Sequence, residues 1–286
     1  MKHPLQKMVL LLVTMLLSIT YSYGQNIKLM TYNIRMDNPK DGENAWPNRK
    51  DNFANQILFY APDVLGIQEG LEHQVVFLDS HLKTYKYVGI GRGDAKENGV
   101  GEYSAIFYNI QNFKEQKSGT FWLSETPDKP SRGWDASLNR ICTYILLKNK
   151  ESGQKFWVFN THFDHRGVEA RKRSTELIIK KIEAINKDKL PVFLMGDFNL
   201  QPEEEPIQFL SKQLNDSKAI SQLPPYGPVG TYNGFDACKN VNKRIDYIFT
   251  SKNNIIIKKY AVLADVNDVK YPSDHFPVFV QAELKK

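Results

Sequence analysis

The feature that most constrains the fold is a series of short apolar runs, rich in β-branched and aromatic residues, that recur along nearly the whole chain. Runs of this length and composition predict β-strands. Several are apolar at consecutive positions, which is typical of strands that are covered on both faces. The runs are IKLMTYNI, DVLGIQ, YKYVGI, SAIFY, RICTYILLK, FWVFNTH, VFLMGDF, RIDYIFTS and FPVFVQAEL.

Three segments between these strands have the spacing of amphipathic helices: Arg49 to Tyr60, Glu72 to Ser80 and Val168 to Asn186. Helices combined with strands that are buried on both faces are expected to cover the outer surfaces of packed sheets. We therefore predict an α/β fold, a four-layer α-β-β-α sandwich of two packed, mostly antiparallel sheets.

The amino terminus has the pattern of a secretory signal peptide over residues 1-24. Two lysines precede an apolar run from Met8 to Ile19, and the small and polar stretch Ser22-Tyr23-Gly24 follows it. The run is shorter than the roughly 20 residues that a membrane span requires. We expect a secreted or periplasmic monomer without stable membrane insertion, formed by a single domain over residues 25-286.

Charge and cysteine content limit the functional classes. The formal net charge is +6, and removal of the two leader lysines leaves 36 basic against 32 acidic side chains, or +4. This mild excess suits an anionic substrate but lacks the dense basic footprint of a dedicated nucleic-acid binder. Whether Cys142 and Cys238 pair stays open, because export permits a disulfide while Cys142 lies in an apolar run typical of a buried free thiol.

Most of the predicted strands end in polar or acidic residues at the point where the chain leaves the sheet. None of these clusters contains cysteine, and oxygen ligands without thiolates favour a hard cation such as Mg²⁺, Mn²⁺ or Ca²⁺. The clusters hold Asn33 in TYNIR, Glu69 in IQE, Glu102 in GEYSAIFY, Asn160, His162 and Asp164 in NTHFDH, Asp197 and Asn199 in GDFN, Asp246 in RIDYIF, and Asp274 and His275 in SDHFPV.

Each cluster taken alone also has an ordinary structural explanation. Asn33 is a common turn former, and GDFN fits a turn that leads into a helix near Pro202. A lone histidine beside an apolar strand is usually a hydrogen-bonded core residue. Asp246 is harder to explain in this way, because a carboxylate within an apolar strand needs a partner, for which Arg244 is the local alternative.

The order and spacing of the blocks from Lys28 to Val280 resemble the endonuclease/exonuclease/phosphatase superfamily. Its members include deoxyribonuclease I, abasic-site endonucleases, bacterial sphingomyelinases, inositol polyphosphate 5-phosphatases, nocturnin and poly(A) deadenylases. The GDFN and SDHFPV blocks are specific to this superfamily when they occur together. The resemblance implies a deoxyribonuclease I-like fold and a catalytic domain that hydrolyses phosphate esters with an activated water and Mg²⁺ or Mn²⁺.

The resemblance also implies roles for individual residues. A metal ion would be held by Glu69, Asn33 and Asp274. Asp197 would orient or deprotonate the attacking water, and Asn199 would hold that water or a phosphate oxygen. His275 would contact the phosphate, and Asp246 would orient His275. His162, supported by Glu102, would complete the catalytic group.

Four further residues are predicted to bind substrate. Arg140 stands where members of the superfamily present a basic residue, although a surface arginine explains it equally well. Trp134, in the segment from Thr120 to Asn139, either stacks on a base or sugar or caps the core. Asn160 belongs to the NTHFDH block, and Asn233 lies in GTYNGF, which resembles a loop of deadenylase-like members and favours nucleotide chemistry.

The sequence therefore predicts a phosphoesterase that binds a phosphate-ester substrate. Nucleic acid is the preferred substrate class, and a nuclease is the preferred activity. A phosphomonoesterase or a sphingomyelinase-like phospholipid diesterase is the alternative. A secreted binding protein without catalysis is the rival from another class, and the complete set of acidic and histidine residues argues against it. The basic run from Arg171 to Arg173 is interpreted as the solvated face of a helix.

Overall fold

The structure of the protein is a computed structural model that describes residues 25–93 and 100–285. The predicted signal peptide lies outside the described residues. The strands, in chain order, are β1 (Gln25–Asn33), β2 (Val64–Gln68), β3 (Tyr85–Val88), β4 (Ile106–Asn109), β5 (Phe113–Trp122), β6 (Ile141–Asn149), β7 (Lys155–His162), β8 (Val192–Asp197), β9 (Asn215–Asp216), β10 (Asp246–Thr250), β11 (Ile255–Val262) and β12 (Val278–Leu284).

The helices agree closely with the three predicted segments and add a fourth. A 3-10 helix over Pro39–Asn44 precedes α1, which begins at Trp46, before the predicted start at Arg49, because Pro47 is compatible with the first helical turn. Beyond GDFN, the chain does enter a helix with a proline in its first turn, but this proline is Pro206, and Pro202 lies in the turn before the helix. The helices are α1 (Trp46–Tyr60), α2 (Glu72–His81), α3 (Val168–Ile185) and α4 (Glu205–Gln213).

The strands form two six-stranded sheets, in the orders β11-β12-β1-β2-β4-β3 and β5-β6-β7-β8-β10-β9. In each sheet a single neighbouring pair is parallel, β1 with β2 in the first and β7 with β8 in the second, and the other pairs are antiparallel. The prediction of mostly antiparallel sheets is confirmed.

Three apolar layers hold the sandwich together. The first lies between the two sheets and includes Leu29, Val64, Val158, Phe193 and Val280. The second packs α1 and α2 against the first sheet, and the third packs α3 and α4 against the other. Burial of each large apolar side chain contributes about 1.5–3 kcal/mol, so three such layers specify the four-layer arrangement.

The two sheets approach each other closely just beneath one end of the sandwich. Asn160 is fully buried there, and its amide donates to the carbonyl oxygens of Ile67 and Ala105 and accepts from Gln68 Nε2 at 2.7 Å. A Cβ at Gly66 would lie 2.6 Å from Met195 and 2.8 Å from Asn160. The sequence therefore uses glycine and one amide to fix the sheet-to-sheet distance directly below the polar strand ends.

The cysteines are unpaired in this fold: Cys142 is buried in β6 and Cys238 is exposed. Cys142 and Cys238 therefore do not form a disulfide in this structure. Among the described residues, no helix has both the length and the apolar character needed to cross a membrane.

Candidate active site

The topology places the polar strand ends together. The parallel pairs bring the carboxyl ends of β1 and β2 to one edge, and those of β7 and β8 to the edge facing it. In the second sheet, His162, Asp197 and Asp246 are register partners on the adjacent strands β7, β8 and β10. Partners on adjacent strands present their side chains close together, so these three groups converge on one side of the sandwich end.

Asn33 joins the two sheets at this end. Its side-chain Nδ2 donates to Glu69 Oε1 at 2.9 Å and to Asp197 Oδ2 at 3.0 Å. Glu69 has a left-handed backbone (φ 64°), and its other carboxylate oxygen accepts from Met36 N at 3.1 Å. A non-glycine residue in this conformation is unusual and is found at sites where side-chain position matters.

Asp274 completes the group that was predicted to hold a metal ion. Arg35 lies between the two acids, with Nη1 4.0 Å from Glu69 Oε2 and Nε 3.9 Å from Asp274 Oδ2. These distances exceed a hydrogen bond, and the guanidinium instead donates twice to Asp41 at 2.9 Å. Glu69, Asp274 and the Asn33 amide thus form an oxygen-rich set whose negative charge is only partly balanced, which fits a hard divalent cation.

A second acidic group lies beside the first. Asp197, Asp246 and His275 each offer an atom within 4.8 Å of the others, an arrangement compatible with a metal ion. However, His275 Nδ1 donates to Asp246 Oδ2 at 2.9 Å, and its Nε2 lies 3.8 Å from Asp197 Oδ2. Burial alone would lower the pKa of His275, but Asp246 and Asp197 outweigh it and raise the pKa well above its usual value. The site therefore offers two candidate groups for a divalent cation, this one and the group formed by Glu69, Asp274 and Asn33.

The alternative partner for Asp246 is excluded by geometry. Arg244 Nη2 donates to Asp216 Oδ2 at 2.6 Å, in a bidentate contact that occupies the guanidinium. Asp246 is fully buried, and its Oδ1 has no hydrogen-bond partner among the described residues. The contact between Asp246 and His275 that the sequence suggested is therefore present.

Asp197 lies at the centre of the site. Burial, with a further contribution from Asp246, raises the pKa of its carboxyl to about 7. Its Oδ1 accepts from the backbone N of Asn199 at 2.9 Å, and Asn199 has a left-handed backbone (φ 51°) and donates its amide to Phe163 O at 3.0 Å. A carboxylate with a pKa near neutrality is well matched to taking a proton from water.

His162 has a different environment from His275. Its Nε2 is 3.6 Å from Asp197 Oδ2, and its Nδ1 is 3.8 Å from Glu102 Oε2. Glu102 makes its short contact elsewhere, accepting from Arg92 Nη2 at 2.6 Å. Burial and the nearby positive charges of Arg140 and Arg92 lower the pKa of His162 well below its usual value, so its imidazole is neutral.

Arg140 presents an unpaired donor to the site. It is almost completely buried, with Nε 3.5 Å from Asp164 Oδ2 and Nη2 donating to His165 Nδ1 at 3.2 Å. Its Nη1 has no hydrogen-bond partner among the described residues. A buried guanidinium N–H without a partner is costly unless an anion arrives to accept from it.

These groups surround a cavity of about 580 Å³. The predicted residues that line it are Glu69, Glu102, Arg140, His162, Asp197, Asn199, Asp274 and His275. Asn33 and Asp246 lie behind this wall and are bonded to residues that form it. The fold therefore brings the predicted metal and catalytic residues together.

Three predicted substrate contacts lie elsewhere. The side-chain amide of Asn160 is fully engaged in the hydrogen bonds between the two sheets. Asn233 is buried, and its side chain donates to Ser273 O and accepts from Phe235 N at 2.7 Å. Trp134 does not line the cavity, and its backbone N donates to Glu125. The polar groups of the two asparagines therefore serve the loops and sheets that carry the site.

Several cavity residues were not anticipated from the sequence. Four of them stand within blocks already singled out in the sequence: Arg35 in TYNIR, His165 in NTHFDH, Tyr232 in GTYNGF and Ile245 in RIDYIF. The others come from segments whose path only the fold determines. They are Met36, Leu138, Gln201, Glu204 and Lys243.

Comparison with known proteins agrees with this geometry. A model of the Endonuclease/Exonuclease/phosphatase family matches residues 30–275. A solved structure of a protein of that family from Bacteroides thetaiotaomicron is 36% identical, with 92% of this chain and 99% of that chain covered and a TM-score of 0.86. A mannosyl-6-phosphatase from the same species is 38% identical, with 90% and 99% covered and a TM-score of 0.84.

Among curated relatives, human nocturnin is 27% identical over 256 residues, which are 80% of this chain. This chain spans 56% of the length of human nocturnin. An uncharacterised protein of Acanthamoeba polyphaga mimivirus is 30% identical over 191 residues, or 62% of this chain.

Proposed function

The chain belongs to the endonuclease/exonuclease/phosphatase family and is a metal-dependent hydrolase of phosphate esters, and on that premise we propose that it is a phosphomonoesterase acting on small phosphorylated metabolites. The observation that carries this proposal is the 38% identity, over 90% of the chain, to a mannosyl-6-phosphatase. A cavity of about 580 Å³ is also a size that suits a small ligand. A phosphorylated sugar is therefore the first substrate class to test.

In the proposed reaction, Glu69 and Asp274, with Asn33 beside them, would hold Mg²⁺ or Mn²⁺, and the ion would supply charge neutralisation for the phosphate. Asp197 accepts a proton from the attacking water, and the cavity-lining Asn199 orients that water or a phosphate oxygen. The rise of the Asp197 pKa to about 7 supports this role, because a base works best near the ambient pH.

The remaining groups bind the phosphate in this proposal. The His275 imidazolium donates to a phosphate oxygen, and Asp246, 2.9 Å from its Nδ1, fixes the orientation of the ring. The unpaired Nη1 of Arg140 provides a second hydrogen-bond donor to the phosphate. The neutral imidazole of His162 provides a third. His275 and Arg140 are held in place by hydrogen bonds before substrate arrives, which lowers the cost of stabilising charge that develops in the transition state.

Nuclease activity is the second candidate. The observation that favours it is the similarity to nocturnin and to yeast exonucleases, including a 3'-5'-exoribonuclease subunit that is 23% identical over 85% of this chain. These relatives are more distant than the phosphatase, and in the part of the chain that the structure describes Trp134 is not positioned to stack on a base in the cavity.

A substrate panel tests the proposal. Mannose 6-phosphate, p-nitrophenyl phosphate, bis-p-nitrophenyl phosphate, poly(A) and sphingomyelin vesicles should be assayed with Mg²⁺, Mn²⁺ and EDTA. We expect hydrolysis of the two monoesters at the highest kcat/KM and loss of all activity in EDTA. Faster cleavage of poly(A) than of either monoester would replace the phosphatase by the nuclease.

Metal binding is tested separately with Glu69→Gln. Replacing a ligating carboxylate by an amide should weaken binding of Mn²⁺ in calorimetric titration and raise the metal concentration needed for activity. Glu72→Gln, in the adjacent helix, is the matched control because Glu72 does not line the cavity. Unchanged Mn²⁺ affinity in Glu69→Gln would remove Glu69 from the metal site.

We also propose, from the sequence pattern alone, that residues 1–24 direct export and are removed, so that the mature chain begins at Gln25. Amino-terminal sequencing of the protein from its native cells tests this. Recovery of a cytoplasmic protein that begins at Met1 would refute it.

A further inference from the structure

We infer that Glu204 determines substrate specificity, by accepting hydrogen bonds from hydroxyl groups of the leaving group and repelling any second anionic group there. The ligand class is a polyol monophosphate, such as an aldose phosphate. This inference rests on the proposed phosphomonoesterase activity and assigns one residue to its selectivity.

The position of Glu204 is fixed by the turn that precedes α4. Its Oε1 accepts from the backbone N of Gln201 at 2.7 Å, and its own N donates to Gln201 O at 3.1 Å. Its carbonyl oxygen accepts from Ile207 N at 3.0 Å, which anchors the residue to the first turn of the helix. Glu204 and Gln201 both line the cavity, so the carboxylate is held against the space that substrate occupies.

Glu204 is a cavity-lining carboxylate that lies outside the predicted metal and catalytic groups. The same cavity wall also carries His275, Arg140 and Lys243, which favour an anion. No cationic side chain in the described part of the chain makes an ion pair with Glu204. An unneutralised carboxylate on the wall of an anion site repels a second phosphate or carboxylate of the substrate.

A hydroxyl-rich leaving group avoids this repulsion. A carboxylate only accepts hydrogen bonds, whereas the Gln201 amide both donates and accepts, so together they match alcohol groups. Tyr232, also in the cavity wall, packs edge to face on His275 with ring centroids 5.1 Å apart. Its apolar ring can contact the C–H groups of a sugar while the phosphate lies beside His275.

The reaction balances without a further reagent. A bond forms between the water oxygen and phosphorus, the bond between phosphorus and the sugar oxygen breaks, and the departing sugar oxygen gains a proton. The products are inorganic phosphate and the free sugar. A polynucleotide brings a further phosphate with each nucleotide, and the Glu204 carboxylate disfavours such a substrate.

The test compares Glu204→Gln with Glu203→Gln in the full mature chain. Glu203 is exposed in the same turn and does not line the cavity, so its variant makes the same change of charge outside the site. Three substrates are measured with Mg²⁺: mannose 6-phosphate, fructose 1,6-bisphosphate, which carries a second phosphate, and p-nitrophenyl phosphate, which lacks alcohol groups. Thermal melts establish that each variant is folded.

We expect Glu204→Gln to lower the ratio of kcat/KM for mannose 6-phosphate to that for p-nitrophenyl phosphate about tenfold, mainly through KM. The relative rate on the bisphosphate should rise at the same time. Glu203→Gln should leave both ratios within about twofold of the wild type. Equal changes for all substrates, or none, in Glu204→Gln would overturn the assignment while the phosphatase activity of the wild type stands. A wild type inactive on every monoester would overturn the proposed function and this assignment together.

Discussion

Two pairs of a histidine and a carboxylate at the active site look equivalent in the sequence and differ in the structure. His275 donates to Asp246 at 2.9 Å, whereas His162 lies 3.8 Å from Glu102, beyond hydrogen-bond distance. The pKa of His275 is raised well above its usual value and that of His162 is lowered well below it, although both rings are buried. The two imidazoles therefore carry different charges in the same cavity.

The difference comes from the competing partners of the two acids. The arginine nearest Asp246 in sequence, Arg244, is occupied by Asp216, so the carboxylate is left to His275. Glu102 is bound by Arg92 at 2.6 Å, and this arginine, with Arg140, also adds positive charge near His162. In this site Asp246, which no arginine of residues 25–93 or 100–285 engages, helps to raise the pKa of His275, whereas burial and the charges of Arg140 and Arg92 lower the pKa of His162.

The largest expected effect comes from disabling the tight pair, His275 and Asp246. His275→Ala should lower kcat on the order of 10²–10³, the usual loss when a donor to developing charge is removed. Asp246→Asn should cost about 10–100-fold, because an amide cannot stabilise an imidazolium. The double variant should be little worse than His275→Ala alone, since the two residues act as one unit.

Kinetics of both single variants and the double variant, with thermal melts of each, form the complete cycle. Strict additivity of the two kinetic losses would show that Asp246 acts independently of His275. A normal kcat in Asp246→Asn together with a lower melting temperature would assign Asp246 a structural role only.

The layered fold was predictable because hydrophobic patterning reports burial directly. Runs such as FWVFNTH and VFLMGDF are apolar at consecutive positions, and β7 and β8 are indeed central strands. The edge strand β5 (Phe113–Trp122) was not recognised, because its middle is polar and partly exposed. A helix was anticipated from Pro202 as one explanation of GDFN, but α4 begins at Glu205 with Pro206 in its first turn, because a nine-residue helix gives too little periodicity to fix its start.

Site residues were predictable where an acidic or histidine side chain directly follows a predicted strand. They were unpredictable where long-range packing decides which side chains reach the cavity. Asp197 and His275 were identified from GDFN and SDHFPV, but nothing local distinguishes cavity-lining Asn199 from Asn160 or Asn233, which are both buried in structural hydrogen bonds. Glu204 was missed because only the fold brings its turn to the cavity.

A smaller loss of activity is expected when the loose pair, His162 and Glu102, is altered. Glu102→Gln should lower kcat/KM by no more than about tenfold, because His162 is neutral and makes no short bond to Glu102. The same change leaves Arg92 without its charged partner in a largely buried position, so the free energy of unfolding should fall by about 1–3 kcal/mol. Urea unfolding beside kinetics measures both quantities. Arg92→Gln combined with Glu102→Gln should recover part of the lost stability, and a kinetic loss as large as that of Asp246→Asn would contradict the distinction between the pairs.

The smallest expected effect is a difference in how the two histidines make stability depend on pH, measured on metal-free protein in EDTA. His275 has a folded pKa above the unfolded value of about 6.5, so its stabilisation is fully present below that pH and is lost as pH rises through the folded value. His162 has a folded pKa below about 6.5, so protonation of the unfolded chain opposes folding at low pH, and stability rises until about pH 6.5 and is constant above it. The melting temperature of the wild type relative to His275→Gln should therefore be highest and level below about pH 6.5 and fall as the pH rises above it. Relative to His162→Gln it should rise from pH 5 to about 7 and then remain level. Because both variants introduce the same side chain, the opposite slopes isolate the two charge states, and parallel slopes would mean that the imidazoles share one environment.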